Sequence, residues 1–296
     1  MTSSGLTDTR ISAHGAIFIV NTTAEATPFA FVFMNPNNVI WDGGRFLDVG
    51  FNPGSWTTHN RWGMAAIRIM ADEVCRGFTL LNVSAENLTY LIVADLRAGK
   101  RLFSDLTVRD CRVKNAYYGV DLIYIGGNTK IDNLICEDVR RGFIGFGTRN
   151  TDIDIKLKTS SGFFGSNGFI SLADEGETYD DGNGVIGTDA NAENIRINLN
   201  LSGFEAHENY IHFYHQQDDS AGSISNVSAD VRINGLSAVG KNVGLGNTNI
   251  FKFDHELPGG AIPATIHVQN YLRPFFSSGV INKRGDFGVE ATQRVQ

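Results

Sequence analysis

Phe78-Thr79-Leu80-Leu81-Asn82-Val83 opens the stretch Phe78–Thr148, whose reading decides the fold. The stretch reads as three copies of one pattern, 28 residues apart. Phe78, Leu106 and Leu134 fall in register, as do Leu80, Val108 and Cys136. Asn82, Asp110 and Asp138 follow, then Val83, Cys111 and Val139, then Tyr90, Tyr118 and Phe146. A fixed period of this size marks a solenoid, in which each unit buries its face only against its neighbours. The units lack helical periodicity and hold short alternating apolar runs between turn residues, which means strands. A turn of roughly 22–28 residues with three short strands is the unit of a parallel β-helix. The expected class is therefore all-β, with short turns and loops inserted along one edge.

Within the unit, Phe78 and Leu80 share a parity and point inward. Asn82 breaks the run and Val83 restarts it with the opposite parity. A corner at residue 82 explains this, because Asn and Asp tolerate the left-handed backbone of a tight bend. Stacking Asn82, Asp110 and Asp138 would build a polar ladder up one edge.

The remaining composition fits. At 296 residues the chain can bury one large core; a chain of that size hides about three quarters of its unfolded surface. Gly is frequent at 33 and Pro rare at 6, which suits many short strands. The net charge of −7 argues against nucleic acid or an anionic membrane as the main partner. Cys75, Cys111 and Cys136 have no metal spacing, so no metal site is expected, and Cys111 and Cys136, at ladder positions filled by apolar residues in neighbouring units, read as buried thiols. The start of the chain shows no signal peptide, and no run of 18 apolar residues suggests a membrane span.

The chain divides into residues 1–64, with first strands, a cap and a long loop; 65–281, the rungs; and 282–296, a polar tail. The irregular loop Gly50–Gly63 carries Trp56, His59, Arg61 and Trp62. Such residues suit stacking on the apolar face of a sugar, and the two Trp would equally serve to cap the end of the solenoid. Past residue 148 the units lengthen. Ile153-Asp-Ile-Lys-Leu-Lys matches Ile195-Arg-Ile-Asn-Leu-Asn 42 residues on, with further copies at Val227 and Ile266. Second apolar runs follow at Phe169–Leu172, Ile211–Tyr214 and Ile250–Phe253, each trailed by an acidic insertion.

Those insertions carry Asp174, Glu175, Tyr179 and Asp181; His215 and Asp218; and Asp254, His255 and Glu256. Leaving the same strand of successive rungs, they would converge on one edge at about 4.8 Å per step. Ser171, His212 and Lys252 take the outward parity beside them, and Asp121, Tyr124, Arg149 and Tyr214 extend the same face. Crowded carboxylates support acid/base cleavage of a glycosidic bond, one protonating the leaving oxygen and one activating water or attacking. The expected catalytic set is Asp174, Glu175, Asp181, His212, His215, Asp218, Asp254, His255 and Glu256. The expected substrate contacts are Trp56, Arg61, Trp62, Asp121, Tyr124, Arg149, Tyr179, Tyr214 and Lys252. The alternative is elimination from, or epimerisation of, a uronic acid by a His, Tyr or Lys base, with Ca²⁺ as the cofactor of a lyase. Hydrolysis needs no cofactor. A non-catalytic glycan-binding spike and a small-molecule isomerase or cyclase are the remaining readings.

Asn38–Trp56, Gly63-Met-Ala-Ala-Ile-Arg-Ile, Leu80-Leu81-Asn82-Val83 and Asn115-Ala-Tyr-Tyr-Gly-Val-Asp121 resemble the pectin-lyase-like right-handed parallel β-helix superfamily, above all the central domains of phage tailspikes and polysaccharide depolymerases. The resemblance implies a carbohydrate-active protein, often a homotrimer, that is virion-associated or secreted after processing. It supplies no catalytic residue position by position, because the Asn-Thr-Asp, Asp-Asp, Gly-His-Gly and Arg-Ile-Lys set of polygalacturonases is absent.

Overall fold

In the computed structural model, the described residues are 1–21, 29–51, 65–95, 103–123, 127–163, 165, 167–174, 179–180, 186–187, 192–204, 206–207, 209–215, 224–237, 249–254, 264–269, 281–283 and 289–294. They form strands without helices. All but two strands belong to one continuous curled sheet whose pairings are parallel. The exception is the small antiparallel pair Tyr179–Asp180 and Ile186–Gly187.

Each strand pairs with one a full unit further along the chain, so the strands stack in columns. One column runs through Phe29–Met34, Ala65–Met70, the ends of Ser84–Asp95, Arg112–Ile123 and Thr129–Phe146, then Asn167–Asp174, Asn209–His215 and Asn249–Asp254. A second runs through Val39–Asp42, Cys75–Leu81, Phe103–Arg109, Thr129–Phe146, Arg149–Thr159, Ala192–Phe204 and Ile224–Ser237. Inward residues of both columns make one core. Leu80, Val108, Ile131, Ile153, Ile197 and Ala229 stack within it and are all buried. Phe18, Phe31, Phe33, Trp41, Phe46 and Phe78 fill its first rungs, with ring centroids 4.6 to 6.2 Å apart.

Several registers depart from the expected repeat. Phe78 does lie opposite Leu106, and Tyr90 opposite Tyr118, one 28-residue step. The next step is 23 residues: Val108 lies opposite Ile131, Val113 opposite Cys136 and Tyr118 opposite Arg141. Leu134, Cys136 and Phe146 therefore do not continue the 28-residue rows. The connection after Ile123 is five residues shorter than the one after Asp95, and both bring the chain back to the same column. Ile153 pairs with Ile197, not Ile195, and Ile266 with Ala229, not Val227. Both slips are of two residues, which leaves the inward face unchanged. Val227 does pair with Ile195. Two strands, Ile281–Lys283 and Val289–Arg294, lie in or overlap the segment expected as a polar tail. Val289 and Ala291 keep the parity of Ala264 and Ile266, which suffices to add a strand.

The corners are left-handed, as expected for Asn82, Asp110 and Asp138, with φ of 54°, 53° and 51°. The ladders are regrouped, however. Asn133 stacks on Asp110 through its amide at 2.8 Å, while Asp138 belongs to a neighbouring ladder with Asn87 and Asn115. A longer ladder was not expected. Asp8, Asn38, Asp105, Asn128, Asn150, Asn194 and Asn226 all have φ between 47° and 62° and stand at successive corners. The side-chain amides of Asn38, Asn128, Asn150, Asn194 and Asn226 each donate to the side-chain oxygen one rung back. Gly77 fills the corner between Asn38 and Asp105; a Cβ there would lie 2.7 Å from the Asn38 Oδ1.

The three cysteines are buried and unpaired, as expected for Cys111 and Cys136. Burial pushes the Cys75 and Cys111 thiols up to about 12, and that of Cys136 higher still.

Replacing Asn128 with Val should lower stability by about 3–4 kcal/mol, since it removes the hydrogen bonds to Asp105 and from Asn150 and forces a β-branched residue into the left-handed region. Asn128→Gly should cost about 1–2 kcal/mol, since only the two bonds are lost. Urea unfolding of the two variants checks the order; equal losses would remove the conformational part of the argument.

Candidate functional site

The acidic insertions leave the first column, so its outer side is built from the strands upward. The register aligns Arg68, Val93, Asp121, Ile144, Ser171, His212 and Lys252 in one row. Two residues on, Asp95, Ile123, Phe146, Ala173, Tyr214 and Asp254 form the next row. Asp174 and His215 lie side by side at its edge. Adjacent members of a row are about 4.8 Å apart. Ser171, His212 and Lys252 therefore share a position as expected, and Tyr214 and Asp254 adjoin them.

The outward parity does not expose Asp121, Ser171 or His212. Ser171 is 1 % and His212 9 % exposed, and Asp121 is 8 % exposed. Gly168, in the same strand as Ser171, lies close against two of them. Gly168 has φ of +86°, and a Cβ on it would lie 2.6 Å from the Ser171 Oγ and 2.7 Å from the His212 Cβ. Its carbonyl accepts a hydrogen bond from Ser171 Oγ at 3.2 Å. Earlier rungs of the same side are covered by an apolar cluster of Ala65, Tyr90, Val93, Tyr117, Tyr118 and Ile144. Tyr90 and Tyr118 stack at 4.6 Å, the Arg68 guanidinium sits 4.4 Å over Phe29, and that of Arg140 sits 4.7 Å over Tyr117. Along the column the outer side thus changes from aromatic to ionisable.

The other expected residues are distributed as follows. Arg149 lies past the end of the column, begins the next strand and forms an ion pair with Glu193 at 3.5 Å. It does not join the row. Tyr179 lies in the small antiparallel pair, opposite Gly187. Trp56, Arg61, Trp62, Tyr124, Glu175, Asp181, Asp218, His255 and Glu256 lie outside the described residues. Among the described residues no three His, Cys, Asp or Glu side chains group as a metal set, and no helix is long and apolar enough to cross a membrane.

His207 escaped the sequence reading. It is fully buried just before Asn209–His215, among the rings of Phe163, Phe169 and Tyr210. Its Nε2 lies 3.2 Å from the Val139 carbonyl and 3.1 Å from that of Arg140, so Nε2 carries the proton and donates to both. Burial lowers its pKa to about 4, against the opposing pull of those two carbonyls. A lone His in a polar segment gave no periodic signal, so nothing in the sequence marked it.

No protein-family model matches the chain, and no curated protein matches it either. Among solved structures, it is similar to the Streptococcus pneumoniae surface protein and adhesin PfbA, with a TM-score of 0.47 and 11 % identity, covering 100 % of this chain and 77 % of that one. A likeness at that level carries nothing about function.

The buried His207 sets a pH dependence. Its folded pKa of about 4 lies below the ordinary 6.5, so the unfolded chain binds the extra proton. Stability should be full above about 6.5 and fall as the pH drops towards 4, by on the order of 3 kcal/mol in all. Asp42, held down to about 2 by hydrogen bonds from Asn82, Arg10 and His14, loses its contribution only at lower pH, below its ordinary 3.8. Unfolding midpoints of wild type and His207→Gln across the upper window check this; parallel slopes would refute it.

Proposed function

We propose that the protein is carbohydrate-active, binding a polysaccharide along the edge of the first column and cleaving it by hydrolysis. In this reading the curled sheet is a right-handed parallel β-helix of the pectin-lyase-like kind, and tailspike-type depolymerases are its functional analogues. The observation that supports it is the common root of the acidic insertions. Asp174, His215 and Asp254 end three stacked strands, with Asp174 opposite His215 and Tyr214 opposite Asp254. Carboxylates of the loops that follow would protonate the leaving oxygen and activate water, the division of labour a glycosidic bond requires. Crowding of like charges raises the pKa of one member, which is what a general acid needs.

A second reading is favoured by the row itself. His212 adjoins Lys252 in register, and Tyr214 is two residues on. A base beside a cation is the arrangement for removing the proton next to a uronate carboxylate. Ca²⁺ would then neutralise that carboxylate, and the described residues alone do not supply a set for it.

Product analysis on a panel of capsular and plant polysaccharides separates the two. Hydrolysis gives new reducing ends without ultraviolet absorbance; elimination gives an unsaturated, absorbing end. Asn or Gln replacements at Asp174, Glu175, Asp181, Asp218, Asp254 and Glu256 should include at least one that lowers the rate by about 100-fold or more. Full activity in every one would end the carboxylate reading.

A further inference from the structure

The outer side of the second column is bare where that of the first is covered. Several of its long side chains are engaged. Lys130 lies 3.6 Å from Asp132, and Arg196 holds Asp152 through two bonds of 2.6 and 2.8 Å. Lys156 donates to the Asn133 Oδ1 at 2.8 Å. On the later rungs of the same face lies a cleft of ≈ 180 Å³ lined by Asp154, Asn198, Leu199, Asn200, Asp230 and Arg232.

The register explains the cleft. Asp154, Asn198 and Asp230 occupy one row, and Lys156, Asn200 and Arg232 the next. Arg196 is drawn back onto Asp152 and Lys156 onto Asn133, so neither of these long side chains is engaged with the short Asn198 and Asn200. Asp154 and Asp230 flank Asn198 one rung to each side, about 10 Å apart along the row. None of the side chains of Asp154, Asn198, Asn200, Asp230 or Arg232 makes a hydrogen bond or ion pair with a described residue. On a face where neighbours are paired, five unengaged polar groups share one hollow.

We infer that this cleft is a second saccharide-binding subsite, separate from the edge that carries the acidic loops and taking an uncharged sugar unit. Two carboxylates act as acceptors, two amides as donors and acceptors, and one guanidinium as a fork of donors, a set that matches vicinal hydroxyls. One Arg against two Asp, with Lys156 one position away, leaves little net charge, which favours a neutral ligand over an anion. Two carboxylates separated by an amide rung do not form an oxygen cage for Ca²⁺, which takes six to eight ligands. The class of ligand rests on the carbohydrate reading above; the site does not rest on catalysis there. A glycan held at both places would be gripped by effective concentration, so a weak cleft raises the overall affinity.

Amide chemical-shift mapping on the full chain tests this with maltohexaose, cellohexaose, xylohexaose and mannohexaose as probes. At least one should shift amides of residues 198–200 and 230–232. Asn198→Leu and, separately, Asp230→Asn should weaken that response about tenfold, the loss of one or two hydrogen bonds. Both side chains lie on the outer face, so folding should be unchanged, and the unperturbed remainder of each spectrum verifies it. Shifts confined to residues 171–173 and 210–213 would overturn this inference and leave the first reading standing. Shifts confined to the cleft would uphold it and remove the first. No shift with any probe, a response only to Ca²⁺, or equal shifts in both variants would overturn it.

Discussion

The left-handed corner is the constraint on which the rest of the molecule depends. A parallel stack holds only if each rung turns at the same height, and L-residues resist the backbone such a turn requires. Asn and Asp tolerate it, and here they also bond to one another across rungs. From Asp8 to Asn226 the corner is occupied by Asn, Asp or, once, by Gly77. Each amide of Asn128, Asn150, Asn194 and Asn226 reaches the oxygen one rung back. The ladder therefore satisfies polar groups and fixes register with the same atoms.

This corner also decides where the molecule can be elaborated. It lies just after the first column in chain order. Whatever chain leaves that column is recaptured by the next Asn, whether the detour is short, as between Ile123 and Asn128, or long, as between Asp174 and Asn194. Neighbouring steps of 28 and 23 residues can thus share one stack. Length variation accumulates at the edge of the first column, and so do the acidic insertions. The candidate site is there because that edge is the place the ladder leaves free.

Much of this was legible in the sequence. Alternating parity identified the strands, and Ser171, His212 and Lys252 were aligned correctly from the apolar residues on either side of them. The failures share one physical origin. A repeat read by residue count assumes constant rung length, whereas the corners conserve position and not count. Cys136 was accordingly placed against Val108 when its neighbour is Val113. Asp138 was assigned to the ladder of Asp110, a place filled by Asn133. Pairing every Asn or Asp that follows an apolar run would have found the true spacing. Burial of the outward row was not legible at all. At Ser171 and His212 it goes with the close approach of a left-handed Gly168, and a Gly in a Gly-rich sequence gives no sign of that.

The two outer sides follow different rules, and the difference has chemical consequences. Over the first column, chain and aromatic rings exclude water, so His212 and Asp121 sit where charge interactions are stronger than in bulk solvent. A group there can be tuned by its neighbours. Over the second column, ion pairs such as Arg196 with Asp152 lie in water and contribute little to stability. Their effect is instead spatial. By holding long side chains flat against adjacent rungs, they determine which short ones remain accessible, and the hollow around Asn198 is the outcome of Arg196 and Lys156 being engaged elsewhere. One side of the sheet thus buries its ionisable groups while the other leaves short polar ones open to water, and both properties come from where the stacked rungs place their outward residues.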